Sequence, residues 1–320
     1  MFFTIILFFL VLSLLVFVHE LGHFLTARFF KVKCEEFGMG LPPRLIGFQK
    51  INGKWRFILG NREIGADEPM IYSLNWIPIG GFVKISGENG ENPELSGNFG
   101  SKPVWQRNLI LSAGVIMNVL LCVFLLFIGF MIGLPGSPNA DSRGIVVSDQ
   151  RVQIIEVLPE SLASQAGLSA GDIVLELNGE QIIDAGSLVE KLKASTGELN
   201  LNISRQDKNS LITIVKPDAE SDLGIAVADS AIVRYPWYWA IVKAIQTTWA
   251  WLVMIFSALF GLIAQFFGGP KLAVDFSGPV GIAVLTGQAV KLGWYYVLQF
   301  TAILSLNLAV INILPFPALD

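Results

Sequence analysis

Histidine and cysteine are scarce: the chain has two of each in 320 residues. Cys34 and Cys122 lie far apart, and Cys122 sits inside an apolar run, so no disulfide framework is implied and a pair cannot build a thiolate cage. A site made of three histidines is excluded outright. Charge is sparse too. Charged residues are 15% of the chain against 53% hydrophobic, a balance that argues against a soluble protein of this length. With a net charge of −4 and no basic cluster, nothing points to a nucleic-acid partner. The N-terminus lacks a basic n-region and a small-x-small cleavage site, and reads as a retained segment rather than a secretory signal.

What is present is a set of apolar runs long enough to cross a bilayer as helix, which takes about 20 residues. The first covers roughly 2–27 and ends at Arg28 and Lys31; the second runs from Asn108 to Leu134. A third, Trp237 to Phe267, is interrupted in its first half by Lys243, Gln246 and two threonines. It reads either as a span or as an amphipathic helix lying in the interface. The fourth runs from Trp294 to Leu314 and stops at Pro315.

Two regions separate these runs. Residues 31–107 are rich in Gly and Pro and contain NWIPIGGFVKISG at 75–87, whose alternation and paired glycines suggest a hairpin or loop. Residues 137–234 have the composition of a compact domain. The stretch 28–107 carries 11 Lys and Arg against 8 Asp and Glu, whereas 135–236 carries 8 against 15. Arg28, Lys31, Lys33, Lys102 and Arg107 flank the runs, so the positive-inside rule puts 28–107 in the cytoplasm and 137–234 outside.

The motif His19-Glu20-Leu21-Gly22-His23 lies near the cytoplasmic end of the first run. On a helix, positions i and i+4 share a face, so both imidazoles can bind one Zn²⁺ while Glu20 reaches a bound water as general base. Ionisable groups inside an apolar span are expensive, and these are the chain's only histidines. A catalytic zinc takes three protein ligands and one open position. The third must be Asp, Glu or Cys. Glu35 and Glu36 follow shortly downstream, and Asp320 closes the segment NILPFPALD, where Pro315 and Pro317 break the helix and let Asn312 and Asp320 turn toward the metal.

A second motif, VQIIEVLPESLASQAGLSAGDIVLELNGEQI at 152–182, alternates apolar residues into a strand and turns at Asn178-Gly179. It resembles a PDZ domain with a core of about 150–227; such domains bind extended segments at a sheet edge, often by a terminal carboxylate. Asp172 falls at the turn into a strand and is structural in this register.

HELGH, IPIGGFVKISG, the PDZ-like insert, SGPVGIA at 277–283 and NILPFPALD, in that order, resemble the site-2 protease family, nearest to the bacterial regulators of sigma-E proteases. The resemblance covers essentially the whole chain. It implies a polytopic α-helical membrane protein with a membrane-associated β-loop and one inserted PDZ domain. The expected spans are 1–30, 108–134 and 294–320, with 237–268 amphipathic or spanning. It implies one Zn²⁺ held by His19, His23 and Asp320, with Glu20 activating water, Asn312 holding the substrate backbone, and Gly80 and Gly81 in a loop that pairs with extended substrate. The implied substrate is a single-pass membrane protein cut in or near its transmembrane segment, such as an anti-sigma factor or a signal-peptide remnant. The implied setting is the bacterial inner membrane, with lipid around the spans and a peptide or substrate C-terminus at the PDZ domain. The family's glycine after Asp320 and the helix beyond it are missing, which reads as a truncated chain. The alternative is an inert membrane-bound PDZ scaffold, and a third reading is a zinc enzyme acting on lipid or soluble peptide.

Overall fold

With no water in hydrocarbon to satisfy backbone N–H and C=O groups, an apolar run closes its hydrogen bonds within itself as helix. A computed structural model describes residues 2–60, 68–90, 94–136, 146–205, 208–218, 221–266 and 278–313. The first run is helix α1 (Phe2–Phe29), and the chain then enters strands β1 (Cys34–Ile51), β2 (Lys54–Leu59) and β3 (Ile71–Ile85), ordered β2-β1-β3. The β1–β2 turn is Asn52-Gly53, both at positive φ, the conformation a two-residue hairpin requires. β1 and β3 are long and irregular in register. Phe37, for example, lies opposite both Val83 and Tyr72 of β3. That central position buries Glu36, and its charge is matched by Arg44, whose guanidinium donates through Nε and Nη2 to the two carboxylate oxygens. Phe24 and Ala27 of α1 pack with Cys34, Phe37 and Ile85 beneath this sheet.

The second run is α2 (Val104–Ile132), followed by strand β4 (Leu134–Gly136). Beyond it come β5 (Val146–Val157), α3 (Leu162–Gln165), β6 (Ile173–Leu177), β7 (Glu180–Gln181), α4 (Ala185–Ala194), β8 (Gly197–Arg205), β9 (Lys208–Lys216) and β10 (Ile225–Arg234). These strands form one sheet with path β4-β10-β5-β6-β8-β9. Its core is Val152, Ile154, Leu188, Leu199, Leu201 and Ile203, each fully buried and each contributing roughly 1.5–3 kcal/mol by burial. Ser161 caps α3 and Asp184 caps α4, each accepting a backbone N–H three residues on. Asn178 and Gly179 both have positive φ between β6 and β7. Asp172 is structural: its carboxylate accepts from the Ser169 N–H and from Nε and Nη2 of Arg205.

The remaining helices are α5 (Trp237–Phe266), α6 (Pro279–Leu292) and α7 (Trp294–Ile313). Among the described residues four helices, α1, α2, α5 and α7, are long and apolar enough to cross a membrane. The third run is therefore a continuous 30-residue helix despite its polar first half, because Lys, Gln and Thr leave the helical backbone intact. α6 lies in a region read only as the SGPVGIA motif. The chain divides into two compact units, Met1–Leu125 with Ala244–Thr286 and Phe300–Asp320, and Leu126–Lys243 with Gly287–Gln299. His19, Glu20, His23, Gly80, Gly81 and Asn312, the sequence-derived site residues that are described, belong to the first.

Candidate metal centre

The helical spacing of HELGH decides the starting geometry. His19 and His23 stack one turn apart on α1, with ring centroids 4.8 Å apart, planes at 71° and both side chains buried. Their Nε2 atoms are 3.1 Å apart. His23 Nδ1 lies 2.8 Å from the carbonyl oxygen of Ile110 on α2. A carbonyl only accepts, so a neutral His23 carries its proton on Nδ1 and presents an Nε2 lone pair. Two nitrogens each about 2.0–2.1 Å from a tetrahedral zinc lie about 3.3 Å apart, so this pair fits a shared ion.

α2 makes room for the rings with a missing side chain. A Cβ on Gly114 would lie 2.6 Å from His19 Nε2 and closer still to His23 Nε2. Asn118, one turn further along and fully buried, places Nδ2 3.2 Å from His19 Nδ1, while its Oδ1 is buried with no hydrogen-bond partner. Ser305 of α7 donates to the backbone carbonyl of Asn118 (2.8 Å), and Asn312 of α7 brings Nδ2 to 3.3 Å from His19 Nε2.

On the other side stands β3. Glu20 Oε2 accepts from the backbone N–H of Val83 at 3.0 Å. Ser13 donates to the Pro78 carbonyl at 3.0 Å, so the stretch from Pro78 to Val83 follows α1 over nearly two turns. Gly80 has φ +74°, a backbone conformation that favours glycine, and a Cβ there would only touch Val16 of α1. A Cβ on Gly81 would stand 3.0 Å from the Gly38 carbonyl oxygen of β1, so that glycine serves the strand pairing.

The structure thus gathers His19, Glu20, His23, Gly80, Gly81 and Asn312. Asp320 lies outside the described residues. Glu35 and Glu36 are engaged elsewhere: Glu36 pairs with Arg44, and Glu35 accepts from Ser86 and pairs with Lys84. Burial raises the Glu35 pKa, but the bonds from Lys84 and Ser86 outweigh it and leave it below the ordinary carboxylate value. Among the described residues no group of three His, Cys, Asp or Glu side chains is disposed to hold a metal. Gly114, Asn118 and Val83 are the residues that sequence reasoning missed. One signal was available for Asn118: it is the only amide or charged side chain between Ser112 and Gly136.

Comparison with known proteins decides the family. The model of peptidase family M50 matches residues 7–320. The chain belongs to peptidase family M50. A Fusobacterium nucleatum relative with "zinc metalloprotease" in its name is 31% identical, the match covering 97% of this chain and 83% of the relative. The zinc metalloprotease RasP of Geobacillus kaustophilus is 28% identical over 99% of this chain and 87% of its own length. The regulator of sigma-E protease RseP of Escherichia coli is 28% identical over 98% and 87%. Family M50 membership extends over α1, both sheets and α7, so the buried histidine pair belongs to a peptidase.

Proposed function

We propose that this peptidase is a zinc-dependent endopeptidase that cuts single-pass membrane proteins in or near their transmembrane segment. The observation that carries this reading is the pair of buried imidazole Nε2 atoms 3.1 Å apart, beside Glu20, on a helix apolar enough to cross a bilayer. His19, His23 and Asp320 would hold the zinc, which when bound would supply Lewis acidity toward the scissile carbonyl and lower the pKa of a bound water. Glu20 takes the proton of the attacking water and returns it to the leaving amine. The Val83 N–H orients the Glu20 carboxylate. Asn312, on the far side of His19, holds the substrate backbone.

A peptide carbonyl within a helix is already hydrogen-bonded, so the substrate is cut as an extended segment. The stretch 77–85, with side-chain-free Gly80 and Gly81 running along α1, is the edge that pairs with it. Residues 137–234 form a PDZ domain (core about 150–227). Support comes from β10: among the described residues β4 pairs with Ala231–Val233 and leaves Ile225–Ser230 as an edge, and α4 is tied to that strand by the Ala185 N–H donating to Asp229. A peptide or substrate C-terminus adds to that edge as a further strand. The chain is a multi-pass protein of the bacterial inner membrane with this domain extracytoplasmic and the zinc near the cytoplasmic side. The exposed Trp55, Phe57 and Leu59 of β2 and Trp76 of β3 meet lipid.

The test uses the purified protein in detergent and a reporter with one transmembrane segment. Chelation abolishes cleavage and zinc restores it. Glu20→Gln lowers cleavage at least 10²-fold while leaving zinc bound, the scale of a lost general base. Cleavage that survives Glu20→Gln contradicts the mechanism.

A further inference from the structure

His19 can carry its proton on either nitrogen: on Nε2 it would face both His23 Nε2 and the Asn312 amide Nδ2 at 3.3 Å, whereas on Nδ1 it leaves Nε2 to accept, and Asn118 selects between the two. With its Nδ2 toward His19 Nδ1, Asn118 can only donate, so His19 Nδ1 accepts and the ring carries its proton on Nε2. That proton then points at the His23 Nε2 lone pair 3.1 Å away, and no cation can enter. The same arrangement leaves Asn118 Oδ1 buried without a partner. Rotating the amide by half a turn brings Oδ1 to His19 Nδ1. The proton moves to Nδ1, and both Nε2 lone pairs face the space over Gly114. Amide oxygen and nitrogen are distinguished only by such a network.

Resting on the zinc reading above, we propose that Asn118 is the positioning residue of the metal site. Its side-chain oxygen accepts from His19 Nδ1–H and fixes the tautomer that leaves Nε2 free to ligate. Ring nitrogens opposite a bound metal generally donate to an oxygen, and loss of that partner typically weakens metal binding 10–100-fold. His23 has its oxygen in the Ile110 carbonyl. His19 has Asn118. The Asn118 backbone is itself held by the Ser305 hydroxyl, so the amide has a fixed origin from which to turn.

The experiment measures zinc affinity of the full chain in detergent by competition with a chromogenic chelator. Asn118→Leu, similar in size and without an acceptor, weakens zinc binding 10–100-fold. Asn118→Asp, which can only accept, stays within a few-fold of the unaltered protein. Equal affinity in the Leu variant, or an equal loss in the Asp variant, overturns the proposal. If the unaltered protein itself binds no zinc, it is the zinc reading that falls. Should the Leu variant fail to fold, ¹⁵N-histidine spectra of the zinc-loaded unaltered protein decide, since only two rings contribute. Both rings then show protonated Nδ1 and metal-bound Nε2; a His19 bound through Nδ1 refutes the assignment.

Discussion

Position 114 is where one methyl group separates a seated imidazole pair from a displaced one. Gly114→Ala sets a carbon 2.6 Å from His19 Nε2, a contact that real Cβ atoms do not make, so one ring must turn away. Zinc affinity is expected to fall at least about tenfold, read by metal content after dialysis against a weak chelator. A Gly114→Ala protein that retains full zinc would show that the rings are seated some other way. Cys34 provides a pH test outside the spans. Burial pushes its thiol from 9.0 to about 11, partly opposed by nearby Arg28. The folded-state value is the raised one, so the protonated thiol's contribution is complete below pH 9 and is lost as pH rises through about 11. Alkylation of Cys34 at pH 8 is therefore expected to be much slower in the folded protein than after denaturation, as mass spectrometry would show. Equal rates would mean that the thiol is not buried. His19 and His23 were legible in the sequence because a four-residue spacing on a helix is a local fact. Gly114 and Asn118 were not, because their roles arise only when α2 comes against α1.

The edge of β3 carries a prediction at the scale of an element. The Val83 N–H donates to Glu20, so a proline there deletes the backbone donor that holds this carboxylate. Val83→Pro is expected to lower kcat about tenfold with zinc content unchanged, while Val83→Ala stays near the parent. If the two variants turn over alike, the backbone bond to Glu20 is irrelevant to catalysis. Helix-forming runs were readable because about 20 apolar residues leave few alternatives. By contrast α6, 14 residues with two internal glycines, has neither the length nor the uniformity to announce itself. The pairing of β1 with both halves of β3 was beyond reach as well. It depends on bends in two strands that local alternation does not encode. Glu35 and Glu36 show the same limit: adjacent in sequence, they are drawn to Ser86 with Lys84 and to Arg44, partners set by strand pairing.

For the whole molecule, the two compact units imply separable stabilities. Asp172 anchors the second unit by joining the start of β6 to the end of β8. Asp172→Ala leaves the Ser169 N–H without its acceptor, and about 1–3 kcal/mol of stability is expected to go with it. Arg205 is 44% exposed and can turn to water, which limits the loss. Hydrogen exchange should report this in β5, β6 and β8 while α1 and β3 keep their protection. A loss of protection spread evenly over both units would contradict the division.

The close approach of α1 and α2 is reciprocal. Gly114 of α2 leaves room for two rings of α1, and Gly22 of α1 leaves room for the Ala113 backbone and the Met117 side chain of α2, a carbon there lying 2.7 Å from Met117 Cγ. Each helix is cut away where the other protrudes. During biosynthesis the first helix emerges with both histidines but without Ile110, Gly114 and Asn118, so it carries the rings and none of the groups that orient them. Metal capture is then a late event that follows the docking of the second helix. The rings are oriented only once the second span has arrived, so the pair cannot be set on the first helix alone.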